Sequence, residues 1–317
     1  MCSDRVRVRG RAVAALAAGV WIAAAAAAAE PPAFSGHRAF AWIDRQCDLG
    51  PRPPGSAALE TLRRLVEAHA DSLGLPVARL CFTARDPWRG GDVTLCNLVV
   101  SCGPAGGDRL WLGAHYDTRP ACDQDPDPAR RGEPLLGAND GASGTAILLH
   151  LMEVLAAAPP ARGVDLIFFD GEDSGRSGDP RGFCLGSRHL AATWRDFPSP
   201  LAGGKPRALI VLDMVGERGL RIGKEGYSQA YAPELTSLVF ARAASLRLTA
   251  LVPEPATAVY DDHVPFLEAG IPAVDLIDFE FPQWHTAGDV PAVCDPASLT
   301  QVGRLVLSLC REPLPGF

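Results

Sequence analysis

Acidic and imidazole side chains in this chain stand where apolar runs stop: His115 and Asp117 in WLGAHYDT, Asp140 in GAND, Glu172 and Asp173 in IFFDGED, Asp213 in VLDMVG and His285 in WHT. Oxygen and nitrogen donors with almost no thiolate suit zinc, and a catalytic zinc takes three protein ligands and keeps one position open. Asp140, Asp173 and His285 can supply one such set, and His115 and Asp213 could complete a second around a bridging Asp140. Asp117 lies two residues beyond His115, on the same side of an extended chain. There its carboxylate would accept the spare imidazole N–H and fix the tautomer. Glu172 adjoins Asp173 on the opposite side of the chain, the natural place for a general base or proton shuttle. Without a metal, the same residues would be N-caps and strand-end carboxylates that solvate a sheet edge. Their number and common placement favour the metal.

Apolar runs that end at polar groups are what parallel strands deliver to the carboxyl edge of an open sheet. Strand-like runs fall at Pro76–Phe82, Val93–Val100, Leu110–Ala114, Val164–Phe169, Ala208–Leu212 and Ala273–Ile277. Between and around them, helical spacing predicts helices at Ser56–Ser72 (with Ser56 as N-cap), Gly141–Ala157, Ser187–Thr193, Pro233–Ala244, Val264–Ala269 and Pro296–Cys310. Strands alternating with helices imply a mixed, mainly parallel sheet covered on both faces. Two polar loops, Arg119–Leu136 and Ser174–Gly182, interrupt the pattern beside the acidic residues and read as binding loops.

Residues 1–29 read as a signal peptide, with Arg5, Arg7, Arg9 and Arg11 before an Ala-rich stretch that offers A-x-A-like cleavage sites. The competing reading is an uncleaved anchor, since roughly 18 apolar residues could just span a bilayer; the weak hydrophobicity of alanine favours cleavage. No stable membrane insertion is then expected of the remaining chain, and export to a periplasmic or extracellular space follows. Residues 30–317 form one domain on this reading, with no linker or repeat to divide them. The net charge of −7 becomes −10 once the four arginines and one aspartate of the leader are removed, which disfavours nucleic acid and anionic lipid as partners. Eight cysteines remain after Cys2, an even number that permits disulfides in an exported protein but leaves 105 pairings open.

The motifs GAHYDT, GANDGASG, FFDGED, LGSRHLA, VLDMVG, DDHVPFLEAGIPA and WHT, in this order, resemble the zinc aminopeptidases and their relatives the glutaminyl cyclases from about Gly50 to Leu309. The resemblance implies a three-layer α/β/α sandwich holding one or two zinc ions and acting on peptide or protein N-termini. It places Asp140, Asp173 and His285 at the ligand positions, Glu172 at the acid/base, and His115 and Asp213 at second-metal positions. It also implies a cis bond between Asp140 and Gly141. Here the acidic pair is Glu-Asp rather than Glu-Glu, and the ligand arm one methylene shorter disfavours coordination through both oxygens.

Two features resemble the cyclases: Asp261-Asp262-His263 before VPFLEAGIP, and Trp284 before the last ligand, an indole able to wall a glutamine-sized pocket. GANDGASG resembles the aminopeptidases more, and loop 174–182 lacks the tryptophan of animal cyclases. In a cyclase, Glu172 moves a proton from the α-amine of an N-terminal glutamine toward departing ammonia, assisted by Asp261 and Asp213. In an aminopeptidase, Glu172 deprotonates an attacking water. The expectation is the cyclase, with the aminopeptidase as alternative. A third reading, a metal-free binding domain on the same fold, would be expected to have lost ligands, and none is missing. Asp261 or Asp262 could instead cap the following helix. His37, His69, His150 and His189 lack matching carboxylates in the pattern, and His263 is assigned a cap or a hydrogen bond near the site.

Overall fold

A computed structural model describes residues 32–196, 205–312 and 315–317; the signal-peptide expectation for 1–29 lies outside the described residues. Helices α1 (Gly36–Cys47) and α2 (Ala57–Ser72) begin at Ser35 and Ser56, whose hydroxyls accept from Arg38 N and Leu59 N, each satisfying an orphan N–H of the first turn. The strands β1 (Val77–Arg85), β2 (Asp92–Cys102) and β3 (Asp108–His115) lead to helix α3 (Ala142–Ala157). Strand β4 (Gly163–Phe169), helix α4 (Leu185–Thr193) and strand β5 (Lys205–Asp213) follow. Next come β6 (Ile222–Lys224), α5 (Gly226–Tyr231), α6 (Pro233–Ser245), β7 (Leu251–Pro255), α7 (Val264–Glu268), β8 (Ala273–Ile277) and α8 (Pro296–Arg311).

Six strands form one sheet in the order β1-β2-β4-β3-β5-β8, with β6 and β7 paired separately. The β3–β4, β3–β5 and β5–β8 pairings are parallel, and β2 alone runs against the others because β1–β2 and β2–β4 are antiparallel. Alternation along each strand sorts side chains to two cores. Leu110, Leu112, Leu166, Phe168, Ile210 and Leu212 join the core shared with α1, α2, α3, α6 and α8. Trp111, Ile167, Phe169, Leu209 and Val211 face the smaller core with Leu190 of α4 and Phe266 of α7. The mixed, mainly parallel sheet covered on both faces that the alternation of strands and helices predicts, and the three-layer α/β/α arrangement that the family resemblance implies, are both observed. Helix α3 is buried along nearly its whole length, and it can lie so close to β5 because Gly144 has no Cβ: one would meet Leu212 O at 2.1 Å.

The structure adds elements the periodicity had not suggested. Helix α1 buries Ala39, Trp42, Ile43 and Gln46, helical spacing that runs directly from the Pro-rich segment before it. The short β6, α5 and β7 carry too few residues to show a period. Cys81 and Cys96 form a disulfide between directly opposed positions of β1 and β2; Cys102, Cys122, Cys184, Cys294 and Cys310 are buried free thiols. Among the described residues, no helix is long and apolar enough to cross a membrane.

A buried polar centre braces the amino ends of β3 and β4. Asp165 accepts from Arg109 Nε and Nη2 (2.5 and 2.7 Å), Trp111 Nε1 (2.9 Å) and Ser101 Oγ (2.6 Å). Removing one partner of a buried ion pair strands the other charge, at a cost of about 3–5 kcal/mol. Asp165→Ala is therefore expected to lower unfolding stability by that order in a denaturant titration. A loss below about 1 kcal/mol would mean that the Arg109 guanidinium finds other partners or water.

Candidate metal centre

The carboxyl ends of β3, β4 and β5 bring the chemistry-bearing residues together. His115 is the last residue of β3, Asp213 the last of β5, and Glu172-Asp173 form a short 3-10 turn just after β4. That turn is opened by Gly171 in the left-handed region (φ 74°), a conformation that favours glycine. Asp140 precedes α3, and His285 lies in the loop after β8 with φ 54°.

Asp140 faces both histidines. Its Oδ1 lies 3.3 Å from His115 Nε2 and its Oδ2 lies 3.6 Å from His285 Nε2. His115 Nε2 is also 3.0 Å from Asp213 Oδ1, and His285 Nε2 is 3.4 Å from Asp173 Oδ1. Two triads result, Asp140–Asp173–His285 and His115–Asp140–Asp213, each with its donor atoms within 4.8 Å of one another. The structure thus assembles both sets expected from the sequence and places Asp140 in each.

Two expectations are corrected. The Asp140–Gly141 bond is trans, there being no cis peptide among the described residues. Gly141 makes the turn instead, at φ 100°, and a Cβ there would meet Asp117 O at 2.6 Å. The loop is further held by Asp289, whose carboxylate accepts from Asn139 N (2.7 Å) and Asp140 N (3.0 Å). Asp140 therefore reaches its partners without the cis bond. Asp117, in turn, is 3.7 Å from His115 Nδ1, too far for a hydrogen bond. The strand ends at His115, and Asp117 turns to accept the backbone N–H groups of Glu172 (3.1 Å) and Asp173 (3.3 Å). It holds the acidic pair rather than the imidazole.

Asp261 and Asp262 are buried, and neither carboxylate caps α7, whose N-cap position is His263 without a side-chain cap bond. Asp262 N donates to Asp261 Oδ1 at 2.5 Å. The His263 ring meets Glu225 Oε2 at 3.0 Å and faces Asp275 at 3.8 Å, behind Asp261. His150 does have a carboxylate, Glu153, at 2.9 Å, three residues along α3, and His69 stands 3.6 Å from the same Glu153. Sequence reasoning gave no role to Asp123, Asp289, Cys184 or Glu225. Only the Arg119/Asp123 spacing of four residues carried any signal; the others reach the site across long sequence separations.

Burial sets the electrostatics. Desolvation pushes the Glu172 carboxyl well up, and the neighbouring Asp261 charge adds to it. Asp213 is raised to about 7 and Asp173 to about 6, both chiefly by burial, with nearby histidine charge pulling the other way. Burial works to deprotonate His115, yet the charge of Asp213 and the nearby carboxylates of Asp117 and Asp140 hold its proton well above the usual range. Crowded acids of this kind favour a bound cation, whose charge stabilises their ionised forms. The donor set fits zinc in type, carboxylate oxygen and imidazole nitrogen. Asp173 Oδ2 is buried with no hydrogen-bond partner among the described residues, an oxygen that a metal would satisfy.

A cavity of about 420 Å³ opens onto Asp140, Glu172, Asp173, Asp213, Asp261 and His285. Its walls include Phe183, Met214, Val259, Ile277, Phe279 and Trp284. Trp284 stacks on the His285 ring, centroids 3.8 Å apart, so the indole borders both a candidate ligand and the cavity.

A sheet whose carboxyl edge gathers paired acidic and imidazole triads at an apolar cavity has the architecture of a metalloenzyme. The model of Peptidase family M28 matches residues 97–310, and the chain belongs to that family. It is 30% identical over 293 residues to the glutaminyl-peptide cyclotransferase-like protein of Mus musculus, covering 83% of this chain and 72% of the mouse protein. The crystal structure of Porphyromonas gingivalis glutaminyl cyclase superposes with a TM-score of 0.80 at 35% identity, covering 86% of this chain and 96% of that one. A Zn-dependent exopeptidase from Parabacteroides distasonis superposes with a TM-score of 0.83 at 29% identity, covering 89% and 100%.

Proposed function

We propose that this chain is an exported, zinc-dependent glutaminyl-peptide cyclotransferase that converts an N-terminal glutamine to pyroglutamate and releases ammonia. The observation that carries the reading is the Asp140–Asp173–His285 triad beside a buried Glu172, at the floor of a cavity walled by Trp284, Ile277 and Phe279. Likeness to a glutaminyl cyclase at 35% identity supports it. Zinc held by Asp140, Asp173 and His285 would polarise the γ-carboxamide of the substrate as a Lewis acid.

The chain's own residues do the rest. The substrate's α-amine nitrogen forms a bond to the side-chain amide carbon, and the bond from that carbon to the amide nitrogen breaks. Glu172 takes a proton from the attacking amine and gives it to the departing ammonia, a task suited to a carboxyl whose proton affinity burial has raised. Asp261 and Asp213 lie at the same cavity floor and hold amine and amide protons by hydrogen bonds. Trp284 packs against the glutamine side chain and keeps water away from it, which protects the amide from hydrolysis.

The alternative, an aminopeptidase, is favoured by one observation: the His115–Asp140–Asp213 triad could hold a second ion. The likeness to a Zn-dependent exopeptidase is consistent with it. In that reading Glu172 takes its proton from an attacking water. Product analysis on two peptides, one beginning with Gln and one with Leu, separates the two. The cyclase reading expects ammonia and a Gln-peptide lighter by its mass, with the Leu-peptide intact. Free leucine would establish the aminopeptidase instead.

A further inference from the structure

Arg119 follows the His115/Asp117 motif at the start of a polar loop, yet its side chain is buried. Its Nη1 donates to Asp173 Oδ1 at 2.6 Å. Its Nε and Nη2 form a fork on Asp123, at 2.8 and 2.7 Å. Asp123 Oδ1 in turn faces His285 Nδ1 at 3.5 Å. The chain of contacts Asp173–Arg119–Asp123–His285 closes on itself, because His285 Nε2 is 3.4 Å from Asp173 Oδ1. The guanidinium also lies over the rings of Trp88 and Phe183, at 5.7 and 5.4 Å from their centroids, which fixes its plane. The peptide N–H of Gln124, next to Asp123, donates to His285 O at 3.2 Å, so the backbone ties the same two segments together.

The two carboxylate oxygens of Asp173 are thereby made unequal. Oδ1 is occupied by Arg119, whereas Oδ2 is buried with no hydrogen-bond partner among the described residues. We propose that Arg119 is a positioning residue for the metal centre: with Asp123 it clamps Asp173 and His285 as a preset ligand pair and leaves Asp173 one oxygen for the ion. This inference rests on the metal-centre reading above. A rigid guanidinium fork suits the task because it matches carboxylates bidentately, which an ammonium cannot do. The arrangement also accounts for an aspartate at this position: with Oδ1 taken, the shorter arm need present only Oδ2.

A clamp and a bare charge have opposite consequences. A positive charge 2.6 Å from a ligand oxygen repels a metal cation, so loss of the charge alone would tighten zinc binding. Loss of the clamp would weaken it, since residues that orient metal ligands typically account for about 10- to 100-fold in affinity. The test uses the full chain and three variants, Arg119→Gln, Arg119→Lys and Asp123→Asn. Zinc affinity is measured by competition with a chromogenic chelator, and the oxygen ligands of the zinc-loaded proteins are counted by X-ray absorption. Arg119→Gln and Asp123→Asn are expected to bind zinc about 10- to 100-fold more weakly. Arg119→Lys, which keeps the charge and loses the fork, is expected to weaken as well. In Arg119→Gln the freed Oδ1 is expected to add one oxygen to the shell.

Equal or tighter zinc binding by Arg119→Gln, with near-UV circular dichroism unchanged, overturns the clamp. If Arg119→Gln does not fold, Asp123→Asn decides the question by the same affinity measurement, because Asp123 is partly exposed and its loss leaves Arg119 on Asp173. A parent protein that takes up no zinc overturns the metal reading itself, an outcome distinct from a zinc-binding parent with unaffected variants.

Discussion

Glu172→Gln is expected to lower kcat by about two to four orders of magnitude, the usual contribution of a positioned general acid–base, while zinc content stays that of the parent. The substitution is nearly isosteric and removes the only function that both candidate reactions require of this residue, carriage of a proton. Asp117 holds the Glu172 and Asp173 backbone N–H groups, so the neighbouring candidate ligand keeps its place when the Glu172 side chain changes. The Glu172 carboxylate also accepts from the buried Cys184 thiol at 3.3 Å, a contact the amide oxygen can retain. KM should change little, because Glu172 is assigned to the transition state rather than to ground-state binding. A variant that keeps more than about a tenth of the parent's kcat would remove Glu172 from the proton path, since a general acid–base is worth at least about 100-fold. Some other carboxyl, with Asp261 first, would have to replace it.

The second large effect is expected from the metal itself. Chelation should abolish turnover and lower the melting temperature, and added zinc should restore both. The stabilisation follows from mass action: an ion that binds only the folded state at 100 times its Kd adds about 2.7 kcal/mol. That corresponds to a shift of roughly 4–5 °C, since the sensitivity falls to about 2 °C per kcal/mol or slightly below for a domain of this size. Here the gain has an identifiable source. Asp140, Asp173, Asp213, Glu172 and Asp261 are buried together, and burial alone lifts most of these carboxyls toward their protonated forms. A bound cation lets them ionise without mutual repulsion. His285→Ala should remove most of the zinc-dependent shift, whereas an exposed substitution such as Tyr231→Ala should leave it intact. If the melting temperature and turnover are both indifferent to chelator, and metal analysis finds no zinc before or after, the centre is not a zinc site.

Particular elements show how far the chain's local pattern reaches. The β8 boundaries Ala273–Ile277 coincide with the apolar run, and α2 begins immediately after the expected cap Ser56. Helix α3 starts one residue after Gly141 and ends at Ala157. Such features are local: a cap, a period of 3.6 or 2, and a run that ends where the chain leaves the core each depend on neighbours in sequence. The same logic marked His115, Asp140, Glu172, Asp173 and Asp213 at strand or helix ends, and the order of the motifs joined His285 to them. The β6–β7 pair escaped this reading because three to five residues contain no usable period.

Partner choice was decided only in three dimensions. The Asp117 carboxylate has two groups within reach, the ring of His115 and the peptide N–H groups after β4, and only the parallel pairing of β3 with β4 puts the second pair closer. Whether Asp140 would need a cis bond depended on Asp289, 149 residues away, and on the close approach of Asp117 O that only a glycine at Gly141 permits. Cys81 found Cys96 among many possible pairings because β1 and β2 align them in register. Arg119 pairs with the loop acid Asp123 four residues on, but only the fold brings its other arm to Asp173. Residue type and spacing therefore determined the element order and the donors available to a metal. The sharing of those donors between the ion and the protein was left to tertiary structure, because a hydrogen bond is won by the partner a few tenths of an ångström nearer, and that distance depends on strands and loops remote in sequence.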